Sequence, residues 1–233
     1  MKNLARKIYS TLIEKYLFLR HYSEIKTIKS YLIGKGAEIG PGSNPFLKNA
    51  TYIEKFPLSD QREYLKLDAD NLIGISDQTF DYIFSAHCLE HLPDTIKTLN
   101  EWSRVLKDNG FICVILPHLD RTFDKGRKRT SLEHFIEDND RKTNKYDQAH
   151  LSEFEEISLS QAEPDWLNNK NAYESSGDLN FKWMADTGRI HYHTFDQDSF
   201  IELAKYLGFS VMHVLETCSW RTDSFCVILK KVS

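Results

Sequence analysis

The sequence predicts an α/β protein with a mostly parallel sheet, because short apolar runs typical of buried strands alternate with segments of helical spacing. The runs are 36–39, 51–54, 64–67, 80–85 and 111–116. Near the end of the chain, two further strands are predicted at 209–215 and 224–229. The link between them, 217–223, is too short for a helical crossover. This last pair is therefore predicted to be an antiparallel hairpin.

A glycine turn follows the first predicted strand, within residues 36–46. Gly40 and Gly42 lack a Cβ, so the backbone can turn sharply and a ligand can lie directly against it, while Glu38 stands at the carboxyl end of the strand. Residues 43–45 are Ser-Asn-Pro, whereas a Walker loop continues with Lys and Ser/Thr and a dinucleotide loop has a third glycine. The segment predicts a nucleotide-binding loop that suits a ligand without phosphates.

Composition sets the limits of size and class. The 233 residues fit one domain with room for an insertion, and 41% hydrophobic with 27% charged residues is usual for a soluble protein. The formal charge of −4 argues against nucleic acid as the main partner, since such proteins usually carry a strongly basic face. The four cysteines show no Cys-x-x-Cys spacing. They are predicted to be reduced core thiols of a cytoplasmic protein.

Residues 1–33 are predicted to form an N-terminal helical cap. Apolar residues recur at amphipathic spacing, and no uninterrupted apolar core precedes a cleavage site, so the segment is not a signal peptide. Basic residues outnumber acidic ones in this segment. Two interpretations stay open: the helices cover an edge of the sheet, or their basic surface docks on an anionic membrane or an acidic partner protein.

Two helices have clear boundary signals. The first is predicted from Thr95 to Lys107, with Asp94 as N-cap and Asn109-Gly110 as its stop. The second begins after Asp196 and ends at Gly208.

Residues 119–190 interrupt the strand and helix alternation. The segment is rich in charges of both signs and leaves the carboxyl end of the predicted strand 111–116, which is the edge where open α/β sheets bind ligands. A structureless loop of this length is uncommon in a compact domain. The segment is therefore predicted to carry its own helices and to form a lid or substrate-binding insertion within a single domain, 1–233.

Four motifs in order resemble the class I S-adenosylmethionine-dependent methyltransferases, of the methyltransferase type 11 kind. They are Glu-Ile-Gly-Pro-Gly at 38–42, Leu-Asp-Ala-Asp-Asn-Leu at 67–72, Phe-Asp-Tyr-Ile at 80–83 with Leu-Glu-His-Leu at 89–92, and Arg-Val-Leu-Lys-Asp-Asn-Gly at 104–110. The resemblance covers residues 34–118 well and residues 194–232 acceptably. It implies a Rossmann-like, seven-stranded, mostly parallel sheet and a methyl-transferring enzyme.

The same resemblance implies residues for the cofactor, S-adenosylmethionine. Glu38, Gly40 and Gly42 would hold its amino acid end. Glu54 would take the ribose hydroxyls, because a carboxylate accepts two hydroxyl hydrogens at once; relatives often have Asp there, so Tyr52 or Lys55 are alternatives. Asp68 with Ala69 would meet the adenine. Ser85 and His87, at the end of the strand 80–85, complete the expected set.

An oxygen nucleophile must lose its proton as it attacks the methyl group, so a base is expected. His118, with Asp120 as its orienting carboxylate, is the first candidate, and His193 is the second. His91 is expected to stabilise its loop. The His191-x-His193 pair, with Asp120, Glu133 and His134, offers ligand types for a metal ion. Packing or hydrogen bonding of the rings is the default, and no metal is predicted.

The acceptor is expected to meet the insertion. Residues 120–138 resemble a subgroup associated with bacterial surface-polysaccharide gene clusters. Cationic and aromatic side chains there suit an anionic sugar, and the candidates are Arg121, Arg127, Arg129, His134 and Trp183. The alternative for each is a solvated, salt-bridged surface.

The expected function is methyl transfer to a sugar hydroxyl in surface glycan biosynthesis, for O-antigen lipopolysaccharide or capsule. The alternatives are a small-molecule or lipid-head-group methyltransferase and, from another class, a non-catalytic module of the same fold that binds a partner protein.

Overall fold

The computed structural model describes residue 17 and residues 19–56, 62–161 and 165–232. Within them, six strands form one sheet. They are β1 (Gly36–Ile39), β2 (Thr51–Ile53), β3 (Phe80–Ala86), β4 (Leu106–Pro117), β5 (Ser210–Leu215) and β6 (Ser224–Lys230). The helices are α1 (residues 19–31), α2 (Thr95–Val105), α3 (Leu132–Arg141), α4 (Gln148–Glu153), α5 (Phe181–Asp186) and α6 (Gln197–Tyr206).

The strand order is β2-β1-β3-β4-β6-β5. The first four strands are parallel, while β6 runs antiparallel to both β4 and β5. The predicted α/β class and the antiparallel C-terminal hairpin are therefore confirmed. The carboxyl ends of β1 to β4 lie along one edge, so the residues that follow them, from Gly40 to His118, share that edge.

The predicted number of seven strands is wrong for the described residues, which contain six. The missing strand is the one predicted at 64–67. There, Leu65 alone forms a parallel bridge with Ile53, and its N–H donates to the Tyr52 carbonyl at 2.8 Å. Leu65 and Lys66 are exposed, and Tyr64 and Leu67 are only half-buried, so the segment lacks the fully buried side chains that would hold a longer ladder at the sheet edge.

Helices cover both faces of the sheet. On one face, α2 and α6 pack on the larger core, which includes Trp102, Phe195 and Phe200. On the other face, α1 contributes Ile28 to a second core beneath β3, β4 and β6. Of the predicted N-terminal cap at 1–33, residues 1–16 and 18 lie outside the described residues. Among the described residues, no helix has both the length and the apolar character needed to cross a membrane.

Both predicted N-caps form. The Asp94 side chain accepts a hydrogen bond from the Lys97 N–H at 2.9 Å, and Asp196 makes a reciprocal capping box with Ser199. Helix α2 ends at Val105, two residues before the predicted end at Lys107. The reason is that β4 already begins at Leu106, which pairs with Phe80.

Residues 119–190 carry α3, α4 and α5 with a π-helical turn, Phe154–Leu159, that continues α4. Apolar side chains of this segment, among them Phe154 and Met184, form a third, smaller core together with Tyr192. The chain then returns through residues 190–195, where the Tyr192 N–H donates to the Glu90 carbonyl at 2.8 Å. This return segment, 190–195, thus lies over the carboxyl end of β3.

Candidate active site

The glycine turn after β1 has the open backbone that a ligand loop needs. Gly40 has φ +68°, and a Cβ built there would lie 2.9 Å from Cys88 Cβ and Sγ. Gly42 has φ +55°, and nothing lies within 4 Å of a Cβ built there. The left-handed conformation at both positions favours glycine. Gly40 therefore lets the loop approach Cys88, and Gly42 leaves a free space beside the backbone.

Glu38 holds this loop closed. Its two carboxylate oxygens accept hydrogen bonds from the N–H groups of Phe46 at 2.7 Å and Leu47 at 2.8 Å. The side chain is buried, and burial raises the pKa of Glu38 although these hydrogen bonds oppose the rise. Both oxygens thus bind the far end of the loop.

Glu54 follows β2 directly and lies beside the loop. Its carboxylate accepts from the Phe56 N–H at 2.9 Å and more weakly from the Gly42 N–H at 3.4 Å. The structure thus brings Glu54 and Gly42 together, as the cofactor hypothesis requires.

Asp68 and Ala69 lie further along the same edge. Asp68 is paired with Lys55, and its side chain is 44% exposed. The Ala69 carbonyl accepts a hydrogen bond from Trp102 Nε1 at 2.8 Å, which anchors this turn to α2. The ion pair with Lys55 connects Asp68 to the end of β2.

Ser85 and His87 complete the edge at the end of β3. The Ser85 hydroxyl is fully buried and donates to the Ile39 carbonyl at 3.0 Å, so it ties β3 to β1. His87 has φ +53°, and its Nε2 lies 2.8 Å from the Ser224 hydroxyl on β6. Its Nδ1 lies 3.3 Å from Glu90 Oε1.

Glu90 is a buried carboxylate with poorly matched partners. It has no exposed surface, and neither oxygen makes a hydrogen bond of good geometry with a described residue. Burial alone would raise the pKa of Glu90, but the nearby His87, His91 and His191 lower it to about 2. The carboxylate is therefore ionised at neutral pH.

His91 and His191 also lie beside Glu90. Ligand-type atoms of Glu90, His91 and His191 all lie within 4.8 Å of one another. His91 Nδ1 lies 2.9 Å from the Ile190 carbonyl, an acceptor, so this nitrogen carries the proton. Burial, with a smaller effect of His191, lowers the pKa of His91 to about 4, so the ring is neutral at neutral pH.

Asp124 orients His191. The Asp124 carboxylate lies 2.6 Å from His191 Nδ1 and accepts a second hydrogen bond from the Ser158 hydroxyl at 2.7 Å. The pKa of Asp124 is lowered, because these hydrogen bonds outweigh burial. A carboxylate at Nδ1 leaves the lone pair of a neutral ring on Nε2. This is the arrangement of a general base.

His118 and Asp120 meet through the backbone. The Asp120 N–H donates to His118 Nδ1 at 3.2 Å, so the proton of neutral His118 is on Nε2. Burial and the nearby Arg121 lower the pKa of His118.

His193 lies in a different group from His191. Its Nε2 is 2.9 Å from Asp138 Oδ2, its Nδ1 is 3.2 Å from the Thr95 hydroxyl, and the side chain has no exposed surface. His134, expected to contact the acceptor, belongs to the same group, with Nε2 3.2 Å from Asp138 Oδ2. The rings of the His191-x-His193 pair therefore have different partners.

The four other predicted acceptor residues are spread over the insertion. Arg127 is buried and donates to the carbonyls of His191 and Tyr192, so it supports the return segment. Arg121 donates to the Thr217 hydroxyl at 2.7 Å, and its side chain is exposed. Arg129 is 49% exposed and pairs with Asp196, while Trp183 is half-buried on α5 with Arg189 near its ring.

Sequence reasoning missed Asp124 and Glu90 as site residues. Glu90 stands in the Leu-Glu-His-Leu motif, and an acidic residue inside an apolar motif was the available signal. Asp124 is 67 residues from His191, so no spacing rule joins them.

Comparisons with known proteins bear on the fold and on the class of enzyme. Residues 42–114 match the family model described as methyltransferase domain. A solved S-adenosylmethionine-dependent methyltransferase of Mesorhizobium loti is 12% identical, with a TM-score of 0.54 over 91% of this chain and 98% of that one. One from Thermotoga maritima is 17% identical, with a TM-score of 0.49 over 97% and 99%. No curated protein sequence matches the chain. The likeness to the Mesorhizobium protein shows the Rossmann-like α/β fold.

Proposed function

We propose that this chain, a methyltransferase whose cofactor is S-adenosylmethionine, transfers the methyl group to a sugar hydroxyl, with a bacterial surface glycan as the first acceptor class to test. The proposal joins three parts of the site: the loop around Gly42, the Asp124–His191 pair and the exposed cations of the insertion. Each part supports a different component of the reaction.

The loop fits the cofactor. Free space beside Gly42 and the adjacent Glu54 carboxylate give a cradle that a side chain at position 42 would fill. We infer that Gly40, Gly42 and Glu54 hold the cofactor, with Asp68 and Ala69 beyond them, while Glu38 keeps the loop in shape. When bound, S-adenosylmethionine supplies a methyl group already activated on a sulfonium, so the protein mainly has to position the acceptor.

The Asp124–His191 pair is the observation that supports methyl transfer to an oxygen atom of the acceptor. Nδ1 of His191 donates to Asp124 at 2.6 Å, so the Nε2 lone pair of the neutral ring points away from that carboxylate. His191 Nε2 can then take the proton of an attacking hydroxyl. Asp124 and Glu90 stabilise the positive charge that forms on the ring.

This geometry favours His191 over the two histidines expected from sequence. His193 has polar partners at both ring nitrogens and no exposed surface. His118 accepts at Nδ1 from the Asp120 N–H, so its Nε2 carries the proton and is not a base in the neutral ring. We therefore place His191, oriented by Asp124, in the role of general base.

A sugar acceptor is supported by the character of the insertion. Exposed Arg121 and Arg129 suit a carboxylate or phosphate on a sugar, and half-buried Trp183 can offer part of its ring to a pyranose face. The likeness of residues 120–138 to enzymes of surface-polysaccharide clusters supports the same acceptor class.

The test is methyl transfer from radiolabelled S-adenosylmethionine to four acceptor classes: nucleotide sugars, lipid-linked or polymeric surface glycans, lipid head groups and small amines. We expect label in a glycan as a base-stable methyl ether. Label only in an amine or a lipid head group would overturn the sugar assignment. Cofactor binding without any transfer would favour the partner-binding module.

A second experiment identifies the base. We expect His191→Gln to lower kcat by about 10²- to 10⁴-fold, while the Kd for S-adenosylmethionine stays unchanged. His118→Gln, made in parallel, is expected to have a smaller effect. A larger loss in His118→Gln would assign the role to His118 instead.

A further inference from the structure

Three imidazoles and one carboxylate converge where the insertion meets the sheet domain. Ligand-type atoms of His134, Asp138, His150 and His193 all lie within 4.8 Å of one another. His134 and Asp138 stand one turn apart on α3, His150 lies on α4, and His193 lies on the return segment. Because the residues come from three segments, the fold itself brings them together.

The centre of this group is crowded with atoms that bind metals. Asp138 Oδ2 lies 3.2 Å from His134 Nε2, 3.3 Å from His150 Nε2 and 2.9 Å from His193 Nε2. The Nε2 atoms of His134 and His150 are 3.0 Å apart. A tetrahedral Zn²⁺ with ligands at about 2.0–2.1 Å separates them by about 3.3–3.4 Å, so shifts of a few tenths of an ångström to about 1 Å would admit the ion.

Outer hydrogen bonds turn the ring lone pairs toward that centre. His150 Nδ1 lies 2.9 Å from Asp147 Oδ1, a carboxylate, so Nδ1 carries the proton and Nε2 bears the lone pair. His193 Nδ1 lies 3.2 Å from the Thr95 hydroxyl, which can accept in the same way. The Thr143 hydroxyl donates to the other Asp138 oxygen at 2.8 Å. Such carboxylate–histidine and hydroxyl contacts are typical of partners that orient metal ligands.

Charge favours a cation at this place. With the Nδ1 protons so placed, neutral rings would direct two lone pairs at an anionic oxygen, which is repulsive unless a proton or a metal ion lies between. Asp138 has 2%, His150 4% and His193 0% of the side chain exposed. His134, at 44%, gives the site a path to solvent.

We propose that His134, Asp138, His150 and His193 form a tetrahedral site for a divalent transition metal of the Zn²⁺ type. Four protein ligands close the coordination sphere, which is typical of structural zinc sites. The ion joins α3 and α4 to the return segment that carries His191. The site thus fixes the insertion against the sheet domain and does not depend on the identity of the acceptor.

Purified protein is stripped with a chelator and then titrated with Zn²⁺ and, separately, Co²⁺. We expect one tightly bound equivalent, a rise in Tm with Zn²⁺, and the intense visible absorption of tetrahedral Co²⁺. His134→Ala, which removes an exposed ligand, should weaken binding at least tenfold, and Asp147→Asn about 10- to 100-fold. His21→Ala, at an exposed histidine on α1, should bind metal like the wild type.

Absence of metal binding to the wild type would overturn the proposal and leave protonated rings as the cation in the cluster. Equal binding by the wild type and His134→Ala would place the ion elsewhere and overturn it as well. Binding of S-adenosylmethionine, measured by calorimetry on the same samples, separates failure of this site from failure of the proposed function.

Discussion

Gly40 and Gly42 both adopt positive φ, yet their surroundings differ. A side chain at Gly40 would contact Cys88, whereas a side chain at Gly42 would meet only open space. Gly40 thus serves the packing between the loop and the segment after β3. Gly42 borders the open space that we propose for the cofactor, so it gives the cleaner test of that proposal.

We expect Gly42→Ala to weaken S-adenosylmethionine binding at least tenfold, because the new methyl group would occupy the space that we propose for the cofactor. The left-handed backbone also costs about 1–2 kcal/mol of stability for a residue with a Cβ. Calorimetric titration measures the affinity, and urea unfolding measures the stability.

Gly74→Ala is the matched control for this change. Gly74 has φ +88° and open space around a Cβ, but it lies outside the loop. The Gly74→Ala variant should lose a similar free energy of unfolding and keep the affinity of the wild type for S-adenosylmethionine. Equal loss of affinity in both variants would attribute the effect to backbone strain and remove Gly42 from the cradle.

Helix α2 is the element where the sheet domain meets the insertion. Its N-cap, Asp94, accepts from the Lys97 N–H and also from Asn139 Nδ2 of α3 at 3.1 and 3.2 Å. The next residue, Thr95, contacts His193 of the return segment. One helix N-terminus therefore connects three parts of the chain.

Asp94→Ala is expected to lower the free energy of unfolding by more than about 1 kcal/mol, since it removes the cap and leaves Asn139 without this partner. Asn139→Ala keeps the cap and should therefore lower the free energy of unfolding by less. Urea unfolding of both variants measures the difference. Equal losses of unfolding free energy in the two variants would show that the cap itself does not stabilise the protein.

Elements with a complete local signal were predictable from sequence. The apolar run of β3, the cap of α6 and the short link between β5 and β6 each determined the observed element. The segment 64–67 has apolar residues but lies at the sheet edge, where pairing depends on what packs beneath it. Edge pairing is a tertiary property, so the local pattern overstated it.

The functional clusters show again that a local sequence pattern cannot predict contacts between residues far apart in the chain. The loop at 36–46 is continuous in sequence and was found there, whereas Asp124 and His191 are 67 residues apart. Of the metal group, only His134 and Asp138 share a local spacing. Folding of the chain brings His150 and His193 to them, and a single sequence holds no record of that contact.

Buried neutral histidines make the stability of the whole molecule depend on pH. The pKa of His91 is about 4 in the folded chain against an ordinary value of 6.5. The unfolded chain therefore binds this proton first, and stability falls as pH drops from 6.5 toward 4. His193 acts in the same direction and His150, whose pKa is raised, opposes it. The stabilising contribution of ionised Glu90, whose pKa is lowered to about 2, is lost mostly below pH 4.5.

His91→Gln should flatten this dependence. In chelated protein, we expect the slope of unfolding free energy against pH between 6.5 and 4.5 to decrease by up to about 1.4 kcal/mol per pH unit, the value for one proton. Denaturant unfolding at several pH values measures it. An unchanged slope would mean that His91 is already accessible to protons in the folded state.

The junction between β4 and the return segment has a consequence for how the protein can diversify. Residues 118 and 195 form a parallel bridge, and the Leu119 N–H donates to the Phe195 carbonyl at 2.9 Å. The chain thus departs from the sheet and comes back at adjoining points. Strand register on either side is independent of how many residues lie between, since the entropy of closing a longer loop grows only slowly with its length. Insertions and deletions between these points can therefore accumulate while the loop at Gly40 and Gly42 keeps its geometry.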